Sequence, residues 1–176
     1  MLTDCCGSVG SGYTPLDPLL NGLVQPEGLC RIGLAAESTS DVFIQFIDQA
    51  SGDHVTDSEF VLTFYGLDAV TSILVPPGGM TKFELSENTQ ISTAETNGAT
   101  TFLCLPDDAD VVELASIPED PLQLSSAQAA RAVCIHFSGL KQGELQLTVG
   151  DSDIGRNFLF SGVSPFSAGA CMRVSE

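Results

Sequence analysis

Positive charge is what this chain has least of. Against 23 Asp and Glu it carries 6 Lys and Arg, a formal net charge of -17 at pH 7. Binding nucleic acid or an anionic membrane surface requires Lys and Arg to displace counterions from phosphates, so neither is an expected partner. Tryptophan is absent, and tyrosine is limited to Tyr13 and Tyr65, which leaves few flat polar rings for stacking on a sugar. No apolar run approaches the roughly 18 residues that a membrane-spanning helix needs. Met1-Leu2-Thr3-Asp4 has neither the basic start nor the apolar core of a secretory signal, so export implies a processed or truncated chain. No Gly-x-Ser-x-Gly elbow and no Cys-x-x-Cys pair occurs, which removes the usual sequence marks of a serine hydrolase, a zinc ribbon or a thioredoxin-like site.

The residues that are present describe one domain of 176 residues, 43% of them hydrophobic, enough to bury a core without help from a metal. The acidity favours solubility first, and after it basic partners or divalent cations. Six cysteines, Cys5, Cys6, Cys30, Cys104, Cys134 and Cys171, spread from one terminus to the other, suit disulfides in an oxidising compartment, extracellular or lumenal. Six cysteines allow about 15 full pairings. Cys5 and Cys6 are adjacent and are expected to reach two different partners or a second chain, since a vicinal ring strains its own peptide.

Residues 1–28 hold small and breaker residues without periodicity, among them Gly7-Ser8-Val9-Gly10-Ser11-Gly12 and Thr14-Pro15-Leu16-Asp17-Pro18, and are expected to form an extended N-terminal arm. The glycines do not make a phosphate loop, which needs a helix where Tyr13-Thr14-Pro15 follows. Residues 29–176 read as a single all-β domain. Short apolar runs bounded by turn residues follow one another, and the fold expected is an antiparallel β-sandwich, jelly-roll-like, of about eight to ten strands. Residues 41–47 make the clearest strand. Glu59 to Gly66 is expected to return beside it as a hairpin, with Phe60, Leu62 and Phe64 on one face. Further strands are expected over 72–75, 82–85, 89–92, 101–105, 132–137, 144–149 and 157–160. Ser125 and Gln128 form a capping-box pattern for one short helix.

Two stretches resemble a family of secreted or lumenal β-sandwich domains expanded in dinoflagellates and related algae and protists. One runs from Phe43-Ile44-Gln45-Phe46 through Ser51-Gly52 to Phe60-Val61-Leu62-Thr63-Phe64-Tyr65-Gly66-Leu67-Asp68. The other runs from Asp120-Pro121-Leu122-Gln123-Leu124-Ser125 to Gly155-Arg156-Asn157-Phe158-Leu159-Phe160-Ser161-Gly162. The resemblance covers about half of the chain and implies a sandwich outside the cytosol, with no established activity. Where that family has a cysteine pair before the Gly-Arg-Asn motif, this chain has Asp151-Ser152-Asp153-Ile154.

Candidate chemistry is sparse. Asp48, Asp53 and Asp57 crowd one loop and are the expected ligands of a calcium ion, although the spacing departs from an EF-hand loop and solvated acidic turns explain the same residues. No other cofactor is called for. Arg156 is expected to pair with Asp151, Asp153 or Asp68 and so anchor the last strand. His54 falls in a turn; His136 shares a strand face with Cys134 and is expected to be a strand residue and not a catalytic base.

The chain is therefore expected to be no enzyme but a structural or interaction module of an extracellular or lumenal assembly. Its partners would be other protein subunits, or a second copy reached through the N-terminal arm. The alternatives are a calcium-assisted carbohydrate-binding domain and a lumenal accessory subunit of an algal photosynthetic complex.

Overall fold

The computed structural model describes residues 7–9, 22–24, 29–44, 59–105, 118–138, 143–162 and 171–173. Among them the chain forms β1 (Gly7–Val9), β2 (Gly22–Val24), β3 (Leu29–Leu34), β4 (Ser38–Ile44), β5 (Phe60–Tyr65), β6 (Thr71–Val75), β7 (Lys82–Ser86), β8 (Ile91–Thr96) and β9 (Ala99–Cys104). After these come α1 (Ser126–Ala130), β10 (Val133–Phe137), β11 (Gly143–Val149), β12 (Arg156–Ser161) and β13 (Cys171–Arg173). Sheet A has the order β1-β4-β11-β6-β9-β8 and sheet B the order β13-β7-β10-β5-β12-β3-β2. All pairings among the described residues are antiparallel. Five longer strands form the body of each sheet, and the three-residue β1, β2 and β13 lie at the edges.

From β3 to β7, and again from β9 to β12, successive strands alternate between the sheets, giving the interleaved orders β4-β11-β6-β9 and β3-β12-β5-β10. Two Greek keys rolled together in this way make a jelly roll. β7 and β8 each add one strand beyond that framework. The alternation also overturns the expected hairpin: β4 lies in sheet A and β5 in sheet B, because hairpins follow short turns whereas the long link between β4 and β5 lets the chain cross the core.

Period-two patterning fills the space between the sheets. Phe64, Phe158, Ile135 and Phe137 of sheet B meet Ile73, Phe102, Leu145 and Leu147 of sheet A. The Phe83 and Phe102 rings meet edge to face across the layers at 5.1 Å. Each large apolar side chain withdrawn from water contributes roughly 1.5–3 kcal/mol, against the entropy of ordering it. A smaller cluster, Leu29, Tyr65, Ala132, Cys134 and Leu159, lies on the other face of sheet B, with Leu124 and Ala129 packed against it.

Two local devices set the geometry. The β8–β9 hairpin turns through Asn97 and Gly98, both with positive φ (53° and 79°), while Thr96 pairs with Ala99. This is the two-residue turn whose twist matches the strands, and Asn-Gly is its preferred sequence. α1 starts at a complete capping box: Gln128 N–H donates to Ser125 Oγ, and Ser125 N–H donates to Gln128 Oε1.

Part of the expected arm belongs to the fold. β1 pairs with β4 and β2 pairs with β3, so these two segments of residues 1–28 complete the chain's own sheets. An exposed strand edge carries unpaired backbone groups, and the nearest chain able to satisfy them is the protein's own. No helix among the described residues is long and apolar enough to cross a membrane.

Candidate functional site

β10 turns Val133, Ile135 and Phe137 into the core between the sheets, so strand alternation puts Cys134 and His136 on the outer face of sheet B. Register does the rest. Cys134 pairs with Glu84 of β7 on one side and with Thr63 of β5 on the other, and Thr63 pairs with Ser161 of β12. A polar row, Glu84–Cys134–Thr63–Ser161, thus crosses adjacent strands. Unusually for an outer face, all four residues are buried.

At one end of the row the Tyr65 hydroxyl lies 2.6 Å from Ser161 Oγ and donates to the Pro121 carbonyl oxygen at 3.3 Å. That contact ties the segment leading into α1 to the sheet. Burial, the largest influence, pushes the Tyr65 phenol from 10 up to about 12 against the opposing hydrogen bonds of Ser161 and Thr63. Tyr65 is only 2% exposed, so one of the two tyrosine rings that a carbohydrate reading would use as a platform is covered; the other, Tyr13, lies outside the described residues.

At the other end, Cys134 Sγ lies 3.6 Å from His136 Nε2, and the same nitrogen lies 3.3 Å from Glu84 Oε1. Lys82 Nζ donates to Glu84 Oε1 at 2.9 Å. One ligand atom from each of Glu84, Cys134 and His136 falls within 4.8 Å of the other two. Burial depresses the His136 imidazole below 6.5 more strongly than nearby Glu84 raises it, so the ring is neutral at pH 7. In a nucleophile–histidine–carboxylate relay the base receives a proton on one ring nitrogen while the other donates to the carboxylate. Here one nitrogen faces both neighbours, and Cys134 is 0% exposed; this arrangement does not make a triad. Beside it opens a groove of about 520 Å³, lined by Glu59, Val61, Thr81, Lys82, His136 and Ser138.

The structure decides several sequence expectations. Of the three expected partners, the Arg156 guanidinium goes to Asp68 and not to Asp151 or Asp153. Its Nη1 donates to the Ile154 and Gly155 carbonyls at 2.9 and 3.2 Å. Asp151 and Asp153 are exposed in the turn before β12, whereas Asp68 follows β5, the strand beside β12. Asp68 Oδ1 also accepts the Val70 N–H at 3.2 Å.

Cys104 and Cys134 are thiols and not disulfide halves. Cys104 faces the core from sheet A and Cys134 the outer side of sheet B, so an entire sheet separates them. Cys30 is disulfide-bonded. Cys5 and Cys6, the calcium candidates Asp48, Asp53 and Asp57, and His54 lie outside the described residues, as does the side chain of Cys171.

Compared with known proteins, the chain matches no family model, no curated protein and no solved structure. The chemistry of the site is read from its own geometry.

Glu84 is the member that sequence reasoning missed. Alternation in Lys82-Phe83-Glu84-Leu85 puts it opposite the apolar face, but only the pairing of β7 with β10 brings it to Cys134.

Proposed function

We propose that the protein is a non-catalytic structural or interaction module of an extracellular or lumenal protein assembly; the family resemblance of the sequence supports the setting outside the cytosol. The observation that carries this reading is the groove beside His136, about 520 Å³ in volume. That is within the roughly 300–1,000 Å³ of ligand clefts. Its lining combines Glu59 and Lys82 of opposite charge, the His136 imidazole, Thr81 and Ser138, and the apolar Val61, a mixture suited to side chains of a protein partner. The net charge of -17 favours a partner with a basic surface and speeds encounter with it. The shared use of Nε2 by Cys134 and Glu84 supports a role in binding and not in proton transfer. The disulfide at Cys30 fits an oxidising compartment.

The test is the native mass of the chain taken from its source under non-denaturing conditions, with and without raised salt. The wild-type chain is expected in an assembly that raised salt loosens and that Ser138→Arg, which fills the groove with a cation, disperses. A chain that runs at its own 18.4 kDa in a gentle extract sinks the proposal.

A further inference from the structure

We infer that Glu84, Cys134 and His136 form a binding site for a divalent transition metal of the zinc class, with a Glu84 carboxylate oxygen, Cys134 Sγ and His136 Nε2 as its three protein ligands. Distance is the first argument. A tetrahedral zinc with Zn–S of about 2.3 Å and Zn–N and Zn–O of about 2.0–2.1 Å sets ligand separations of about 3.5 Å for sulfur to nitrogen and about 3.3 Å for nitrogen to oxygen. The structure has 3.6 Å from Sγ to Nε2 and 3.3 Å from Nε2 to Oε1. The third separation lies within 4.8 Å, and a swing of the Glu84 carboxylate by about 1 Å closes it to tetrahedral reach.

Placement is the second argument. Cys134 and Glu84 are directly paired across β10 and β7, and His136 stands two residues along on the same face. Ligands held on two hydrogen-bonded strands are more precisely placed than ligands on loops. Donor type is the third. A thiolate with an imidazole selects zinc or a similar borderline metal over calcium or magnesium, which take oxygen. Charge also balances: binding M²⁺ forms a metal–sulfur bond, breaks the Cys134 S–H bond and releases that proton to solvent. Two positive charges then meet one thiolate and one carboxylate, a neutral set suited to burial.

Access exists as well. The His136 and Glu84 side chains keep 19% and 11% of their exposure, and His136 lines the groove, which leaves a fourth position for water or a partner's side chain. The competitor is Lys82, whose ammonium holds Glu84 from a position 45% exposed and can swing into solvent when a metal enters.

The experiment uses the full chain, stripped with chelator under mild reducing conditions and titrated with Co²⁺ and then Zn²⁺. One equivalent of Co²⁺ is expected to give a sulfur-to-cobalt charge-transfer band in the near ultraviolet, which Zn²⁺ bleaches. Cys134→Ser abolishes the band, Cys104→Ser keeps it, and His136→Asn or Glu84→Gln weakens zinc affinity by about tenfold or more, at least the loss seen on removing an outer-sphere partner. Lys82→Met, which retains all three ligands, tightens binding by up to about fivefold, the size of an exposed ion pair. Should the ligand variants fail to fold, X-ray absorption of the zinc-loaded wild-type chain reads the ligands directly, and one sulfur with imidazole scattering is expected. Absence of binding, a band that survives Cys134→Ser, or a shell of oxygens alone overturns the proposal.

Discussion

The Tyr65 hydroxyl is a buried phenol whose acidity reports directly on the cover over sheet B. Loss of water around the phenolate is the strongest influence, Cys134 and Asp120 add to it, and together they leave a value of about 12 in place of 10. One unit corresponds to about 1.4 kcal/mol, so the neutral phenol contributes about 2 to 3 kcal/mol of stability. That contribution is fully present below pH 10 and is lost as pH rises to about 12, because in this window the folded chain keeps a proton that the unfolded chain has given up. Tyrosinate absorbance is a clean assay here, since tryptophan is absent and Tyr13 is the other tyrosine. With the fold followed in parallel by circular dichroism, one tyrosine's share of the amplitude is expected late, near pH 12 or at unfolding, whichever comes first. In Tyr65→Phe the late step vanishes. Its stability then loses this component of the decline between pH 10 and 12, from a starting point lower by about 1 kcal/mol for the lost hydroxyl hydrogen bonding. Release of the whole amplitude near pH 10 from a chain that keeps its β-sheet signal would refute the reasoning.

Arg156 and Asp68 give a second check: Arg156→Ala is expected to cost about 2 kcal/mol, the scale of hydrogen bonds to a charged group, in a urea midpoint. Arg156→Lys should recover only part of it, since a point charge cannot serve the carboxylate and two carbonyls at once; an Arg156→Ala chain as stable as wild type removes the anchoring role. His136 should make the fold sensitive to mild acid. Its folded affinity for a proton is lower than the ordinary 6.5, so stability present above that pH declines as pH falls through and below it. Glu84, Lys82, Cys134 and Glu59 are the charged or titratable neighbours, and His136→Gln should remove this component of the slope in urea midpoints taken between neutral pH and pH 5; an unchanged slope contradicts the burial argument.

Much of the fold was legible because a sandwich strand carries its orientation in its own alternation. Phe60, Leu62 and Phe64 point inward as period two requires, and the capping box at Ser125 marks the start of α1 to the residue. The Asn97-Gly98 turn is equally readable from its dipeptide. What no local pattern contains is which strand neighbours which. The hairpin expected of β4 and β5 failed for that reason, and the choice among the three expected partners of Arg156 was open for the same reason: Asp151 and Asp153 are near in sequence, Asp68 only in space. The Glu84–Cys134–His136 grouping belongs to the same class. The spacing of Cys134 and His136 shows a shared face, but the third member depends on β10 returning beside β7 after two crossings of the core.

That dependence explains how one face of sheet B holds two different environments. A five-residue helix is far too short to be stable alone, so α1 is held by the packing of Ala129 and Leu124 on the sheet, by the Gln90 N–H donating to the Ala130 carbonyl at 2.8 Å, and by the Tyr65 contact to Pro121. Under that cover Ala132, Leu159 and Cys134 are dry. Only four residues along β10 from Ala132, His136 lines the groove beside the half-exposed Lys82. Cys134 and Glu84 stand on the boundary, dry on the helix side and within reach of the groove through His136. A thiol, a carboxylate and a neutral imidazole gain most as a group at such a boundary, where water is scarce enough to strengthen their interactions yet an ion or a partner's side chain can still arrive. The cover and the groove are therefore parts of one device, and the strand that joins them is β10.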